Sequence, residues 1–286
     1  MLLFLYRIWI FVKEINIISC SSILNKSGIP GIDYAINPYV GCTHKCQYCY
    51  AVFMKRFTGH TEPWGDFVDI KVNAPTVLER QLIRIKQKSH ISIGTVCDGY
   101  QPVEKKYEIT RKCLSKLIPY RHSVSILTKS PLVMRDIDLL KQLNDIEIGF
   151  TITTLDPKVR RVFEPGTAPP DKRFQAIEKL SRNRIRTWVF VAPVLPYFAD
   201  STQAITSIIR RTRDAGARHI MFDTLNPYPK VWKNVKRLVK KHFPEAIEQF
   251  RNFQNDSDHY QNSLRRKVTD IGFKNMLPCK FAFGCG

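Results

Sequence analysis

Residues 41–50, Gly41-Cys42-Thr43-His44-Lys45-Cys46-Gln47-Tyr48-Cys49-Tyr50, put three cysteines on one short stretch, separated first by three residues and then by two. Four thiolates fill a cubane iron–sulfur cluster, one to each iron. Three thiolates on a single loop hold three irons and leave the fourth open to a ligand that is not a side chain. A structural zinc site normally takes four protein ligands in two separated pairs, a pattern this loop lacks. The competing reading is a redox-inert metal staple in which His44 supplies the fourth ligand. An open iron, by contrast, suits a small molecule that chelates through an amino and a carboxylate group, and S-adenosylmethionine is the cofactor that does so.

Outward from that loop, β-branched runs alternate with helical periodicity. Strands are expected at 34–37, 90–97 (HISIGTVC), 123–128 (SVSILT), 146–153 (IEIGFTIT), 187–194 (TWVFVAPV) and 219–225 (HIMFDTL). Helices are expected between them at 104–118, 134–143, 171–183 and 202–215. Such alternation means parallel strands joined by right-handed crossovers. Six units predict an α/β fold, a partial (βα)6 barrel rather than the closed eight. Chemistry in parallel barrels collects at the C-terminal ends of strands, and the cysteine loop follows the first of them. The expected division is an N-terminal extension over 1–30, a core domain over 31–228 and a basic α-helical C-terminal extension over 229–286. The extension begins with an amphipathic helix at 230–241 (KVWKNVKRLVKK), carries the basic knot Arg265-Arg266-Lys267 and ends in a tail with Cys279 and Cys285.

The 286-residue chain has 45 Lys and Arg against 25 Asp and Glu, a formal charge of +20. That excess favours polyanionic partners, because each neutralised phosphate releases condensed counterions. Eight cysteines are too few and too unevenly spaced for a secreted disulfide scaffold, and an oxygen-sensitive cluster needs a reducing compartment, so a cytoplasmic location is expected. The apolar run over residues 1–12 is shorter than the roughly 20 residues a bilayer demands. It reads as a peripheral strand or an overextended start of the reading frame, and no membrane partner is expected.

The loop and its surroundings resemble the radical SAM superfamily, and within it the enzymes related to spore photoproduct lyase. The likeness rests on Asn37-Pro38-Tyr39-Val40-Gly41-Cys42, Trp64-Gly65 with Lys71, residues 94–102 (GTVCDGYQP) with Glu104, Thr110 and Arg111, Thr128-Lys129-Ser130 with Arg135-Asp136, residues 151–154, and Glu164-Pro165-Gly166-Thr167. By that resemblance Cys42, Cys46 and Cys49 ligate a [4Fe–4S] cluster, S-adenosylmethionine takes the open iron, and an electron donor such as ferredoxin or flavodoxin supplies the reducing equivalent. The resemblance places Tyr48 beside the adenine. Gly94 and Thr95 would offer backbone groups to the methionine amine, and Lys129 would pair with the methionine carboxylate. Thr151 and Thr153, on one strand face by the two-residue period, would bond carboxylate or ribose. Asp98 would touch cofactor or cap the following turn.

The likeness has limits. Spore photoproduct lyase carries a hydrogen-donating cysteine at the position that aligns with Thr95, whereas this chain has Cys97 two residues later. An extended chain would return Cys97 to the same face. Cys97 and Tyr50 are therefore the candidate catalytic residues. Cys279 and Cys285 could be free or redox thiols, or ligands of an auxiliary metal or cluster. The expected substrate is nucleic acid, through lesion repair or base modification. A maturase acting on a protein or peptide and a non-catalytic iron–sulfur nucleic-acid-binding protein are the alternatives.

Overall fold

The computed structural model describes residues 14–226 and 228–283. Residues 1–12 and Cys285, both subjects of the expectations above, lie outside them.

The main sheet has eight strands. Six run parallel and adjacent in chain order: β3 (Tyr34–Ile36), β6 (His90–Ile93), β7 (Ser123–Thr128), β8 (Asp145–Thr151), β9 (Arg186–Val194) and β10 (His219–Thr224). Ile36 lies beside Ile93, Ile126 beside Ile148 and Phe150 beside Val189, and the β9–β10 pair shifts register between Phe222 and Thr224. The series does not close. β2 (Leu24–Lys26) covers the outer edge of β3 in antiparallel fashion, and β11 (Cys279–Phe281) covers β10 in parallel fashion. An open six-unit barrel was expected; the two covering strands were not, because three-residue runs carry too little periodicity to register. They serve to occupy backbone groups that an unclosed barrel would leave unpaired.

A second sheet also escaped the sequence pattern. β5 (Phe67–Lys71) pairs in parallel with β1 (Glu14–Ile18) and antiparallel with β4 (Tyr39–Val40). The left-handed Gly41 (φ +81°) follows β4, and a Cβ there would strike the Phe67 carbonyl oxygen. Gly41→Ala is therefore expected to lose about 2–4 kcal/mol in denaturant unfolding, from the φ cost and the backbone clash together.

Helices cover the sheet with apolar faces. α3 (Ile109–Leu117) buries Ile109, Cys113, Leu114 and Leu117, and α6 (Pro170–Arg182) buries Phe174, Ala176, Ile177 and Leu180. The helix expected at 104–118 is split at Glu108 (φ +55°) into α2 (Glu104–Tyr107) and α3. The Glu104 carboxylate accepts the Thr110 and Arg111 amides, so it caps a new helix start that an uninterrupted helix would not possess. The helix expected at 134–143 is mostly a 3-10 turn over Pro131–Asp136, followed by one turn of α-helix. After β10 come α8 (Pro229–His242), α9 (Ile247–Asn255) and α10 (Ser257–Lys274), whose buried side includes Val231, Val235, Leu238, Phe250 and Val268. No helix among the described residues is long and apolar enough to cross a membrane.

Candidate active site

A cavity opens at the C-terminal ends of the parallel strands. Cys42, Cys46, Cys49, Gly94, Thr95, Cys97, Lys129 and Thr151 all line it, as do Tyr48 and Tyr50. The cysteine loop reaches that mouth because β3 runs out at Ile36 and the chain turns back through β4 and Gly41. Its backbone is pinned from several sides. Gln101 accepts the Thr43 amide at 2.9 Å and donates to the Gly41 carbonyl at 3.1 Å. Phe163 O accepts the Gln47 amide at 2.8 Å, and Gly166 packs so closely that a Cβ would meet the Thr43 carbonyl. Asn234 Nδ2 on α8 donates to the Gln47 carbonyl at 2.7 Å, between Cys46 and Cys49. Burial raises all three thiol pKa values, Cys46 to about 12, so loading a metal here has to expel protons.

His44 is not placed to complete a metal staple. Nδ1 lies 3.1 Å from Gly166 O and Nε2 lies 3.0 Å from Asp98 Oδ2, so both ring nitrogens face protein oxygens. Three thiols without a fourth donor from the loop fit a cluster with one open iron better than a closed zinc site.

Asp98 lines the cavity, yet its carboxylate is spent on the protein. Oδ1 accepts Tyr100 N at 2.8 Å and Thr128 Oγ1 at 2.7 Å, and Oδ2 accepts Lys129 N at 2.8 Å beside His44. Burial alone would raise its pKa; the His44 ring and these donors outweigh it and hold the carboxyl at about 2. It ties the turn after β6 to the end of β7. The Tyr100 amide bond makes Asp98 a cap of the turn that follows it.

Lys129, whose backbone Asp98 fixes, is half-buried with its Nζ 5.8 Å from the centre of the Tyr48 ring. It has no ion pair among the described residues. Burial works against its charge, but the acidic groups of Cys46 and Glu164 prevail and raise its pKa. An ammonium in that position is ready for an anionic ligand group.

Thr153 requires a correction. β8 ends at Thr151, so the two threonines do not share a strand face, and Thr153 is not on the wall of this cavity. Its hydroxyl donates to Glu164 Oε1 at 2.9 Å and lies 3.0 Å from the Tyr48 hydroxyl, which also donates to Glu164. Glu164 in turn is held by the fully buried Arg173 at 2.5 Å, and Arg173 Nη1 donates to Thr151 O at 2.7 Å. The aromatic of the cysteine loop is thus anchored by a buried ion pair. Sequence reading quoted Glu164 but missed Arg173, because an arginine inside a helical pattern looks solvated until its partner is known.

Cys97 reaches the cavity by a route other than an extended strand. β6 stops at Ile93, and Gly94 (φ +93°) turns the chain, so residues 94–97 are not an extended strand. Cys97 is nevertheless 5% exposed on the cavity wall, with Sγ 3.7 Å from Asn37 Oδ1. Burial pushes its thiol up to about 12, which keeps the S–H bond intact near neutral pH. The Tyr50 hydroxyl donates to the Thr95 carbonyl on the same wall. Asp223, Thr224 and Asn226, at the end of β10, complete the rim and were not singled out from sequence. Their place after the last strand of the series was the signal available.

At the other end of the chain, Cys279 Sγ donates to Leu277 O at 3.4 Å and packs on Gly272 of α10. It lies on the strand that covers β10, at the edge of the sheet opposite β2.

The chain is 34% identical over 266 residues to an uncharacterized protein of Methanocaldococcus jannaschii, an alignment spanning 92% of this chain and 97% of the relative. Among solved structures, spore photoproduct lyase complexed with dinucleoside spore photoproduct has the same fold, with TM-score 0.68 at 15% identity, covering 93% of this chain and 81% of that one. SuiB of Streptococcus suis bound to its precursor peptide SuiA is a more distant likeness in fold, with TM-score 0.52 at 14% identity over 95% of this chain and 49% of that one. The family model described as the Radical SAM superfamily matches residues 36–206, from the end of β3 past the whole of β9. That match takes in the cysteine loop and the strand ends around it, and the chain belongs to the radical SAM superfamily: it is a radical SAM enzyme that uses a [4Fe–4S] cluster and S-adenosylmethionine.

Proposed function

We propose that Cys42, Cys46 and Cys49 ligate the cluster, that Tyr48, Gly94, Thr95, Lys129 and Thr151 form the S-adenosylmethionine site, and that the enzyme acts on nucleic acid, by lesion repair or base modification. The observation that carries the cofactor assignment is the convergence of three loop thiols and one unpaired ammonium on a single cavity. When bound, cluster and cofactor supply a 5′-deoxyadenosyl radical after one-electron reduction. The chain's own part is positional. Lys129 offers a point charge to a carboxylate, the Tyr48 ring is locked by Glu164, and the Gly94 turn exposes backbone groups at the strand end. Tyr50 and Cys97 carry an O–H and an S–H on the same wall, each able to give a hydrogen atom to a substrate radical.

Two features support a nucleic-acid substrate. One is the charge of +20. The other is α8, whose Lys230, Lys233, Lys236, Arg237, Lys240 and Lys241 are all exposed, with no acidic residue in the helix and no ion pair among the described residues. On this reading residues 31–228 are the catalytic core, residues 229–286 help to seat the substrate, and the protein works in the cytoplasm with a ferredoxin or flavodoxin as reductant.

The test is anaerobic binding of single- and double-stranded oligonucleotides across a salt series. Affinity should fall about 10³-fold between 50 and 200 mM salt if six or so phosphates are neutralised. Changing Lys233, Lys236, Arg237 and Lys240 together to Gln should flatten that slope. Absence of binding at low salt would instead favour a protein or peptide substrate.

A further inference from the structure

On the second sheet, Glu14 of β1 joins Glu62, Phe67 and Asp69 around one imidazole, that of His60. His60 is stacked on Phe67, with ring centroids 3.8 Å apart, and its side chain is only 9% exposed. Nε2 lies 2.8 Å from Asp69 Oδ1 on β5. The same Asp69 oxygen accepts Asn16 Nδ2 at 3.2 Å, and Asn16 also donates to Glu14 Oε1 at 2.8 Å. These bonds settle the outer ring of the cluster: Asp69 takes the Nε2 proton, and Asn16 orients both Asp69 and Glu14.

The inner ring is left facing itself. His60 Nδ1 points at Glu62 Oε2, 3.4 Å away, and Glu14 Oε2, 3.7 Å away. One ligand atom from each of the three residues lies within 4.8 Å of the others. Nδ1 and Glu62 Oε2 make only a long hydrogen bond, at 3.4 Å, so the ring and its two facing carboxylates call for a positive charge between them, either a proton on Nδ1 or a bound cation. A proton on Nδ1 would draw a carboxylate in to about 2.7–2.9 Å, and neither has come that close. The spacing suits instead three donors around a shared ion at about 2.0–2.2 Å from each. An imidazole with its other nitrogen bound to a carboxylate is also the arrangement that fixes a metal-binding histidine in the correct tautomer.

We propose that Glu14 Oε2, His60 Nδ1 and Glu62 Oε2 bind a divalent transition-metal cation of the zinc type, with Asp69 and Asn16 as its outer support. The site is separate from the cluster and has a structural task. It bolts β1, the first strand of the described chain, to the segment between residues 58 and 66. That segment carries Trp64, which packs edge-on against Phe67 and lines the cofactor cavity, and Asp66, which pairs with Lys45 of the cysteine loop. Three oxygen and nitrogen donors, two of them anionic, favour zinc or manganese over a soft monovalent ion. Protons compete for Nδ1 and the carboxylates, so affinity should fall as the pH drops.

The experiment uses the cluster-loaded protein, stripped of adventitious metal with a mild chelator and titrated with Zn²⁺ under anaerobic conditions. One equivalent of zinc should bind beyond the iron, and zinc-edge absorption should report nitrogen and oxygen neighbours with one imidazole and no sulfur. Glu62→Gln should weaken that binding at least about 10-fold, and Asp69→Asn by about 10- to 100-fold. Retained cluster absorption shows that each variant is folded. Zinc should also raise the thermal midpoint of the wild type and not of Glu62→Gln. Sulfur-ligated zinc, equal affinity in Glu62→Gln, or no zinc uptake by the wild type would each overturn the proposal; the last would leave His60 as an imidazolium among carboxylates.

Discussion

Cys46→Ala should bring iron and sulfide from about four of each per chain to background after anaerobic reconstitution, and 5′-deoxyadenosine formation to nothing. The loop offers three thiols to the cavity and no further donor, since the ring nitrogens of His44 face Gly166 and Asp98. A cluster reduced to two protein ligands has neither the affinity to assemble nor a defined open iron. Removing one sulfur from a side chain of this size leaves the packing of the loop nearly intact, and the Gln101 and Asn234 bonds to its backbone remain. The loss should therefore appear in visible absorption and metal content without unfolding. A variant that kept a full cluster and still cleaved S-adenosylmethionine would remove the basis of the cysteine assignment.

Arg173→Met should be the most destabilising single change in the core, at about 3–5 kcal/mol in chemical denaturation. Methionine fills much of the space, so the cost is not a cavity. It is the Glu164 carboxylate left charged and fully buried, with Arg173, Tyr48, Thr153 and Thr167 reduced to three neutral donors. The same pair predicts a pH dependence. Burial by itself would raise the Glu164 pKa, but Arg173, then Lys129 and the Tyr48 hydroxyl, hold it at about 2. A carboxyl whose folded pKa lies below its unfolded value, near 4.3, contributes its full stabilisation above that unfolded value. The contribution is lost as the pH falls toward 2. Wild-type stability should thus decline through that window, and Arg173→Met should have lost most of this slope. If Arg173→Met were as stable as wild type at neutral pH, the anchoring of Tyr48 would have to be sought elsewhere.

Much of this architecture could be read from the chain, and the failures have physical causes. Five of the six parallel strands were legible because each is a β-branched run of four to nine residues buried on a sheet with helices on its faces; β3, only three residues long, was placed by its position just before the cysteine loop. β1, β4 and β5 were missed. β5 (FVDIK) carries a buried aspartate, and Asp69 makes sense only beside His60 and Asn16, which lie 9 and 53 residues away. The grouping of the three cysteines was legible from their spacing, and the fold brings all three to one cavity. The roles of Asp98 and Thr153 were not, because hydrogen bonding rather than pattern decides whether a polar strand-end residue faces a ligand or braces a neighbour. Cys97 shows the converse: a faulty premise, an extended chain after Ile93, led to a residue that a glycine turn brings to the cavity by another route.

The bond from Asn234 to the Gln47 carbonyl gives the two halves of the molecule a common strut. A polyanion seated on the cationic side of α8 and an occupant of the cysteine loop would both load that strut. Whatever energy passes through it passes equally in either direction. Filling the loop would then tune the grip on the distant ligand by the same factor with which that ligand tunes the loop, so the enzyme would sense its target before any bond is cut.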